Sequence, residues 1–230
     1  MDAEQLKHNI ATVLKRVRLA EAKYQRISHS CELLAVSKTR PAEALEQAYQ
    51  LGLRAFGENY LQEALEKIQT LETLDISWHF IGPIQSNKTR AIAEKFDWVH
   101  SVERLKIARR LSEQRPEGLA PLNICLQVNI SGEDSKSGAK PEELPALVAA
   151  VSELPRLKLR GLMAIPAPCP DPDLQRAPFA RLKALLDQLQ LDNPALDTLS
   201  MGMSSDLEAA IAEGATLVRV GTDIFGPRNG

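Results

Sequence analysis

The chain has 230 residues, 44% of them hydrophobic and 25% charged, a composition typical of a water-soluble protein with one sizeable core. Its net charge of −2 and its aromatic content of only 4% argue against binding to nucleic acid, and its apolar runs are too short to span a membrane. The three cysteines are widely spaced and odd in number, which excludes a disulfide framework. Together with an N-terminus unlike a signal peptide, this spacing indicates a cytoplasmic protein.

The predicted elements alternate along the chain. An amphipathic stretch over 3–26 predicts a helix whose buried side carries Ile10, Val13, Leu14, Val17 and Leu19. Eight short β-like runs follow, over 32–37, 54–58, 77–82, 97–102, 122–130, 158–165, 198–202 and 216–222. Between them lie seven segments with helical periodicity, over 41–51, 60–72, 86–96, 103–114, 141–154, 172–191 and 205–213.

Eight strands that alternate with helices predict a single (β/α)8 TIM barrel over residues 1–230, in which the N-terminal helix supplies the eighth helix. The competing architecture is an open, doubly wound sheet that binds a dinucleotide. That fold needs a glycine-rich turn after the first strand, and here the turn is Ser-Lys-Thr-Arg-Pro. The pattern therefore favours the barrel.

Residues at the carboxyl ends of barrel strands face one shared mouth. Lys38 follows the apolar run of the first strand. An amine held against apolar walls loses part of its preference for the charged form, so it can attack a carbonyl carbon. A lysine that simply extends into water fits this segment equally well when the segment is taken alone.

The last two strands end in motifs that suggest a phosphate site. Barrel enzymes often bind phosphate in the loops after strands seven and eight. Here Gly202 and Gly221 allow close approach of the backbone, and Ser204 and Thr222 supply hydroxyl groups. Alternatively, Ser204 or Ser205 only caps the next helix, and Gly221 only relieves crowding. Both loops together with Lys38 favour a phosphorylated ligand.

Two further polar residues lie within predicted strands. A guanidinium inside a strand needs a partner, so Arg219 is expected to face either a carboxylate such as Glu58 or a ligand atom, a phosphate oxygen or a ring nitrogen. His79 is more readily interpreted as a satisfied core residue than as a catalyst. The four histidines lack the spacing of metal ligands, so no metal site is expected. The polar segment 129–138 is either a flap over the mouth or a plain surface loop.

An amine, a phosphate pocket and an arginine on one barrel face are the parts needed to hold pyridoxal 5′-phosphate. At this point the sequence resembles the pyridoxal phosphate homeostasis proteins (YggS/PROSC family), in the same order over nearly the whole chain. The motifs that carry the resemblance are LLAVSKT at 33–39, FGENY at 56–60, WHFIGPIQSNK at 78–88, SKSG at 135–138, RGLMAIP at 160–166, LSMGMS at 199–204 and RVGTDIFG at 219–226.

The resemblance implies a barrel like the N-terminal domain of alanine racemase and a role in intracellular vitamin B6 homeostasis that affects amino-acid and keto-acid balance. It implies that Lys38 binds pyridoxal 5′-phosphate as an internal aldimine, a Schiff base, and that Arg219 faces the pyridine nitrogen. The residues implied to hold the phosphate are Ser204, Gly221 and Thr222, and those implied to line the pocket are Asn59, His79 and Met163. Lys136 matches a family lysine with a second, weaker contact to the cofactor.

A non-enzymatic carrier or regulator is the favoured interpretation, with no catalytic residues. A cation at the ring nitrogen makes the ring a poorer electron sink, and 230 residues leave no room for the second domain of a racemase. The alternatives are a pyridoxal phosphate enzyme, such as a weak racemase with Tyr60 or His79 as base, and a class I aldolase-like barrel. We expect a monomer whose partners are the cofactor and, transiently, pyridoxal phosphate-dependent apoenzymes.

Overall fold

The structure is a computed structural model that describes residues 2–133 and 137–227, except for the side chains of residues 172 and 173. Eight parallel strands pair in chain order, and the first strand also pairs with the last, so the sheet closes into the barrel that the alternation predicts. The strands are β1 (Glu32–Val36), β2 (Ala55–Glu58), β3 (Ser77–Phe80), β4 (Trp98–Val102), β5 (Leu122–Gln127), β6 (Leu157–Met163), β7 (Thr198–Ser200) and β8 (Leu217–Val220).

Helices follow each strand on the outside of the barrel. They are α1 (Ala3–Lys23), α2 (Ala42–Gln50), α3 (Leu61–Thr70), α4 (Thr89–Lys95), α5 (Leu105–Gln114), α6 (Leu144–Ser152), α7 (Pro172–Gln190), α8 (Leu207–Ala212) and α9 (Thr222–Phe225). Short 3-10 turns precede α4 and α6, at Ser86–Lys88 and Pro141–Glu143. No helix in the described part of the chain is long and apolar enough to cross a membrane.

The N-terminal helix takes the eighth helical position of the ring, as predicted. Asp2 caps α1 by accepting a hydrogen bond from Gln5 N, and the helix packs against α2, α8 and α9. Ile10 and Val17 are buried in this contact. The expected burial of Leu19 is wrong, because its side chain is 59% exposed. Two residues beyond Val17 the helix has turned by about 200°, so Leu19 faces solvent.

The predicted strands run past the observed ones at the mouth of the barrel. The strand predicted over 122–130 ends at Gln127, and the strand predicted over 158–165 ends at Met163. The apolar residues continue past the ladder because Ile130 is buried in the hydrophobic core and Ile165 lies at the mouth of the barrel. The helix α9 was not predicted, because its first residue, Thr222, was assigned to the eighth strand.

Replacing Ile10 with alanine should test whether α1 is an integral part of the barrel. Ile10 is 3% exposed, and truncating a buried isoleucine costs about 2–5 kcal/mol of unfolding free energy. The matched control is Leu19→Ala on the same helix, which should change that free energy by less than about 0.5 kcal/mol. Urea denaturation of both variants measures the difference. Equal losses for the two variants would contradict the packing of α1.

Candidate functional site

A cavity of about 310 Å³ opens at the carboxyl ends of the strands. This volume is at the lower end of the range for small-molecule sites. Six of the eight predicted site residues line it: Lys38, Asn59, Ser204, Arg219, Gly221 and Thr222. The other lining residues are Val36, Arg40, Ile81, Ile165, Met203 and Ser205. Residues distant in sequence therefore converge on one mouth.

Lys38 stands in the turn that follows β1, two residues beyond the end of the strand. The turn is tied down on both sides of the lysine. Ser37 N donates to Gly57 O at 2.9 Å, and Thr39 N donates to the Glu63 carboxylate at 2.6 Å. Thr39 has a positive φ of 64°, a conformation that a β-branched residue adopts only when its surroundings impose it. The backbone that carries Lys38 is thus held in one conformation.

A buried cluster of ion-paired side chains beneath this turn fixes its backbone conformation. Lys67 Nζ, on α3, donates to Ser37 O at 2.8 Å, to Glu58 Oε1 at 2.7 Å and to the Glu63 carboxylate. Ser37 Oγ donates to the same Glu58 oxygen at 2.6 Å. Burial raises the pKa of the Glu58 carboxyl, and the Lys67 ammonium opposes this shift. We call Glu58, Glu63 and Lys67 the turn clamp.

Asn59 brings an unsatisfied polar atom to the cavity. Its Oδ1 atom is buried and has no hydrogen-bond partner among the described residues, although the residue itself lines the cavity wall. A buried carbonyl oxygen without a partner costs free energy. A donor group on a bound molecule would remove this cost.

The two loops that carry Ser204 and Thr222 are joined from behind by the N-terminal helix. Arg16, on α1, donates to Ser204 O at 2.9 Å, to Asp223 Oδ2 at 2.6 Å and to both carboxylate oxygens of Glu208. Its hydrogen bonds to the Glu208 carboxylate raise the pKa of Arg16. One side chain therefore sets the spacing between the two loops.

The expected helix cap at Ser204 or Ser205 is wrong. The N-cap of α8 is Asp206, whose carboxylate accepts a hydrogen bond from Met203 N at 2.6 Å. The helix starts later because Asp206 closes a tight turn over residues 203–206. This turn leaves Ser204 and Ser205 in the cavity wall.

The two glycines at the ends of β7 and β8 have packing reasons of their own. Gly202 has φ +90°, and a Cβ added there would lie 2.5 Å from Ala210 Cβ. A Cβ at Gly221 would lie 3.0 Å from Val36 O. Crowding at the rim therefore accounts for glycine at both positions. The case for a phosphate ligand rests on the hydroxyl groups and on the convergence of the loops.

Arg219 is 4% exposed in the interior of β8 and forms no direct ion pair in the described part of the chain, although the Asp206 carboxylate lies near enough to interact with its charge. The expected pairing with Glu58 is wrong, because Glu58 belongs to the turn clamp. Arg219 donates instead to Ser200 Oγ at 2.8 Å and to Ala164 O at 3.0 Å. Burial lowers the pKa of Arg219 to about 10. The side chain is still a cation at neutral pH, and it lines the cavity.

Behind Arg219, hydrogen-bonded side chains cross the barrel. Ser200 Oγ lies 2.7 Å from His100 Nδ1, and His100 Nε2 lies 2.9 Å from His79 Nδ1. His79 Nε2 lies 3.1 Å from Ser77 Oγ, at the start of β3. Burial lowers the pKa of His79 to about 3, and burial followed by the charges of His79 and Arg219 lowers that of His100 well below its usual range. We call Arg219, Ser200, His100, His79 and Ser77 the core chain.

His79 and Met163 do not line the cavity, contrary to expectation. Both are buried one layer deeper, and in each strand the residue two positions further along, Ile81 or Ile165, forms the wall instead. Residues two apart share a face of a strand. Alternation along a strand says which residues share a face, but it does not give the depth at which the cavity ends.

Several residues that support the site were not singled out from the sequence. Lys67 had a detectable signal, because it lies three residues after Ala64 on the buried stripe of α3. Arg16 and His100 had none, since their partners are distant in sequence. Lys136 lies outside the described residues. No group of metal-ligating side chains occurs within ranges 2–133 and 137–227.

Comparison with known proteins agrees with this geometry. The family model described as "Alanine racemase, N-terminal domain" matches residues 1–229. A Pseudomonas aeruginosa protein named "Pyridoxal phosphate homeostasis protein" is 64% identical over 221 residues, which cover 96% of this chain and 95% of that protein.

Solved structures give a consistent result. The structure of PipY from Synechococcus elongatus with pyridoxal phosphate (PLP) bound is 41% identical, has a TM-score of 0.79 and covers 92% of this chain and 99% of that one. Alanine racemase from Corynebacterium glutamicum has a TM-score of 0.69 at 17% identity, and the match covers all of this chain but 62% of the racemase. The racemase comparison supports the barrel fold alone.

The two buried histidines should make stability depend on pH. Their pKa values are lowered in the folded protein, whereas in the unfolded chain they take up protons below about pH 6.5. The unfolded state therefore gains protons as the pH falls, so stability decreases with a limiting slope of about 1.4 kcal/mol per pH unit for each histidine. Urea denaturation between pH 7 and pH 5 measures this slope before most carboxylates titrate.

The variant His100→Gln should show a shallower slope than the wild-type protein over the same range. The matched control is His8→Gln, which removes an exposed histidine from α1 and should keep the wild-type slope. A wild-type slope in His100→Gln would contradict the assignment of a neutral, buried imidazole.

Proposed function

Since the chain belongs to the pyridoxal phosphate homeostasis proteins, a family built on the alanine racemase N-terminal domain, we propose that it binds pyridoxal 5′-phosphate at the barrel mouth and takes part in intracellular pyridoxal phosphate homeostasis. The observation that carries the proposal is the convergence of one amine, one buried guanidinium and two hydroxyl-bearing loops on a single cavity. We also propose that the whole chain, residues 1–230, acts as one binding domain.

The residues present fit this cofactor. When bound, pyridoxal phosphate supplies an aldehyde that condenses with a primary amine, and Lys38 is the lysine that lines the cavity. Ser204, Gly221 and Thr222 would bind the phosphate through hydroxyl and backbone N–H groups. Asn59 has a buried acceptor without a partner, which suits a ligand hydroxyl.

Arg219 would orient the ring by donating to its nitrogen. A guanidinium cannot give up a proton at neutral pH and only donates hydrogen bonds, so it would keep the facing nitrogen unprotonated. An unprotonated ring withdraws electrons less strongly, which favours storage of the cofactor over catalysis. We therefore propose a carrier or regulator rather than an enzyme.

The positions of the candidate bases support this view. The racemase alternative needs Tyr60 or His79 next to the substrate. His79 is 3% exposed and hydrogen-bonded within the core chain, and Tyr60 is 52% exposed and is not part of the cavity wall. Neither side chain is in position to exchange a proton with a bound molecule. Sustained turnover of any amino acid by the purified holoprotein would overturn the proposal of a non-catalytic role.

We propose that the protein works in the cytoplasm as a monomer and gives up its cofactor transiently to pyridoxal phosphate-dependent apoenzymes. The absence of disulfides among its cysteines is consistent with a reducing compartment. Ile165 and Met203 are partly exposed apolar side chains in the cavity wall, at 41% and 38%. Such side chains suit a brief contact at the mouth with a recipient protein.

Borohydride reduction of the protein after incubation with pyridoxal phosphate should place the label on Lys38. The variant Lys38→Arg keeps the charge but should lose both the label and the absorption band of the bound cofactor. The matched control is Lys88→Arg, an exposed lysine outside the cavity wall, which should behave like the wild-type protein. Peptide mapping by mass spectrometry gives the result. A principal label on any other lysine would contradict the assignment.

Replacing Arg16, which is not itself part of the cavity wall, with glutamine should weaken cofactor binding. The variant breaks the link between the loops of Ser204 and Asp223, and we expect the dissociation constant to rise about tenfold because the phosphate loops lose their fixed spacing. The control is Lys15→Gln, which removes the same charge from an exposed position on α1. Fluorescence titration with pyridoxal phosphate compares them, and equal affinities would rule out a role for Arg16.

A further inference from the structure

The core chain has a direction that the hydrogen-bond chemistry determines. Arginine only donates hydrogen bonds, so Ser200 Oγ accepts from Arg219. The Ser200 hydroxyl proton must then find an acceptor, and within hydrogen-bond distance His100 Nδ1 is the one found among the described residues. If Nδ1 accepts, the proton of neutral His100 is on Nε2.

The same reasoning fixes the next imidazole. His100 Nε2–H donates to His79 Nδ1, so His79 also carries its proton on Nε2 and donates it to Ser77 Oγ. The Ser77 side chain is partly exposed, so its own hydroxyl proton can reach water. Every polar side-chain atom of Ser200, His100 and His79 is then satisfied.

The opposite direction leaves a defect. If His100 donated from Nδ1, Ser200 Oγ would receive two hydrogen bonds and its own buried proton would have no acceptor. A buried hydroxyl proton without an acceptor costs free energy. A proton on both nitrogens of either ring is worse, because it would set two donors against each other and add a second cation close to Arg219.

The core chain therefore orients Arg219 without neutralising it. A carboxylate partner would hold the guanidinium but cancel its charge, whereas a hydroxyl and a main-chain carbonyl hold it and leave the charge in place. The N–H groups of Arg219 that Ser200 and Ala164 do not use are available to the cavity. Orientation and charge are both needed if a guanidinium is to face a ring nitrogen.

We propose that Ser200, His100 and His79 are positioning residues that hold Arg219 toward the ligand as a cation without a direct carboxylate contact, with both imidazoles in the Nε2–H tautomer. This rests on the proposed function, in which the ligand is pyridoxal phosphate. It gives His79, which does not line the cavity, an indirect role in binding. It also assigns a role to His100 and Ser200.

The first experiment needs no ligand. Long-range ¹H–¹⁵N NMR spectra of the cofactor-free protein at pH 7 should show two histidines in the Nε2–H tautomer, which His79→Gln and His100→Gln assign by the loss of their signals. An Nδ1–H tautomer or an imidazolium at either position would overturn the proposal.

The second experiment measures cofactor binding in variants that keep or remove the hydrogen-bond sequence. In His100→Gln the carboxamide oxygen can accept from Ser200 and its nitrogen can donate to His79, so binding should stay close to wild type. In His100→Leu and Ser200→Ala this sequence is broken, and we expect the dissociation constant to rise about tenfold. The absorption band of the bound cofactor should become pH-dependent in these two variants, because Arg219 no longer faces the ring nitrogen in a fixed geometry.

The controls separate this proposal from the proposed function. His8→Gln, on the surface, should bind like the wild-type protein, and circular dichroism checks the fold of each variant. If His100→Leu does not fold, Ser200→Ala decides, since it removes a single oxygen atom. Wild-type affinity and an unchanged spectrum in Ser200→Ala would overturn the positioning role. If the wild-type protein failed to bind pyridoxal phosphate, the proposed function would fail, and the tautomers alone would decide whether the core chain orients Arg219.

Discussion

The buried guanidinium of Arg219 is the constraint on which the interior of this barrel depends, because a cation removed from water must be solvated by protein groups. Barrel interiors are usually filled by branched apolar side chains in layers. Here a polar line of Ser200, His100, His79 and Ser77 replaces part of that filling. The aromatic ring of Trp98 stacks on His79 at 5.4 Å and covers it from the side. The core is thus built to support one charge at the mouth.

Support for the mouth also comes from outside the barrel. Arg16 reaches from the N-terminal helix to the two loops after β7 and β8, while the turn clamp holds the loop after β1 from α3. These ion pairs are at most partly exposed, so solvent screens them less than surface pairs. The segments that carry Lys38, Ser204 and Thr222 are therefore each fastened to a helix. Such bracing is what a site needs to keep its groups within about half an ångström of a working geometry.

The sequence alone predicts the architecture and most of the cavity wall, and it fails where the depth along the barrel axis matters. Because strands and helices alternate along the sequence, the closed barrel could be predicted. Because Lys38, Asn59, Ser204 and Thr222 lie at the carboxyl ends of predicted strands, their place at the mouth could be predicted too. The side-chain period of two says only which residues of a strand share a face. It carries no information on the layer they occupy, which depends on how the eight strands are staggered. The partners of Arg219 were missed for the same reason.

Two lysines show how the local arrangement, rather than residue type, selects the reactive amine. Lys67 is buried, and its three N–H donors are matched by Ser37 O, Glu58 and Glu63. Its nitrogen is enclosed by these acceptors and is not part of the cavity wall. Lys38 stands on the turn that Lys67 holds and lines the cavity. The first lysine therefore fixes the backbone in place so that the second can meet a ligand.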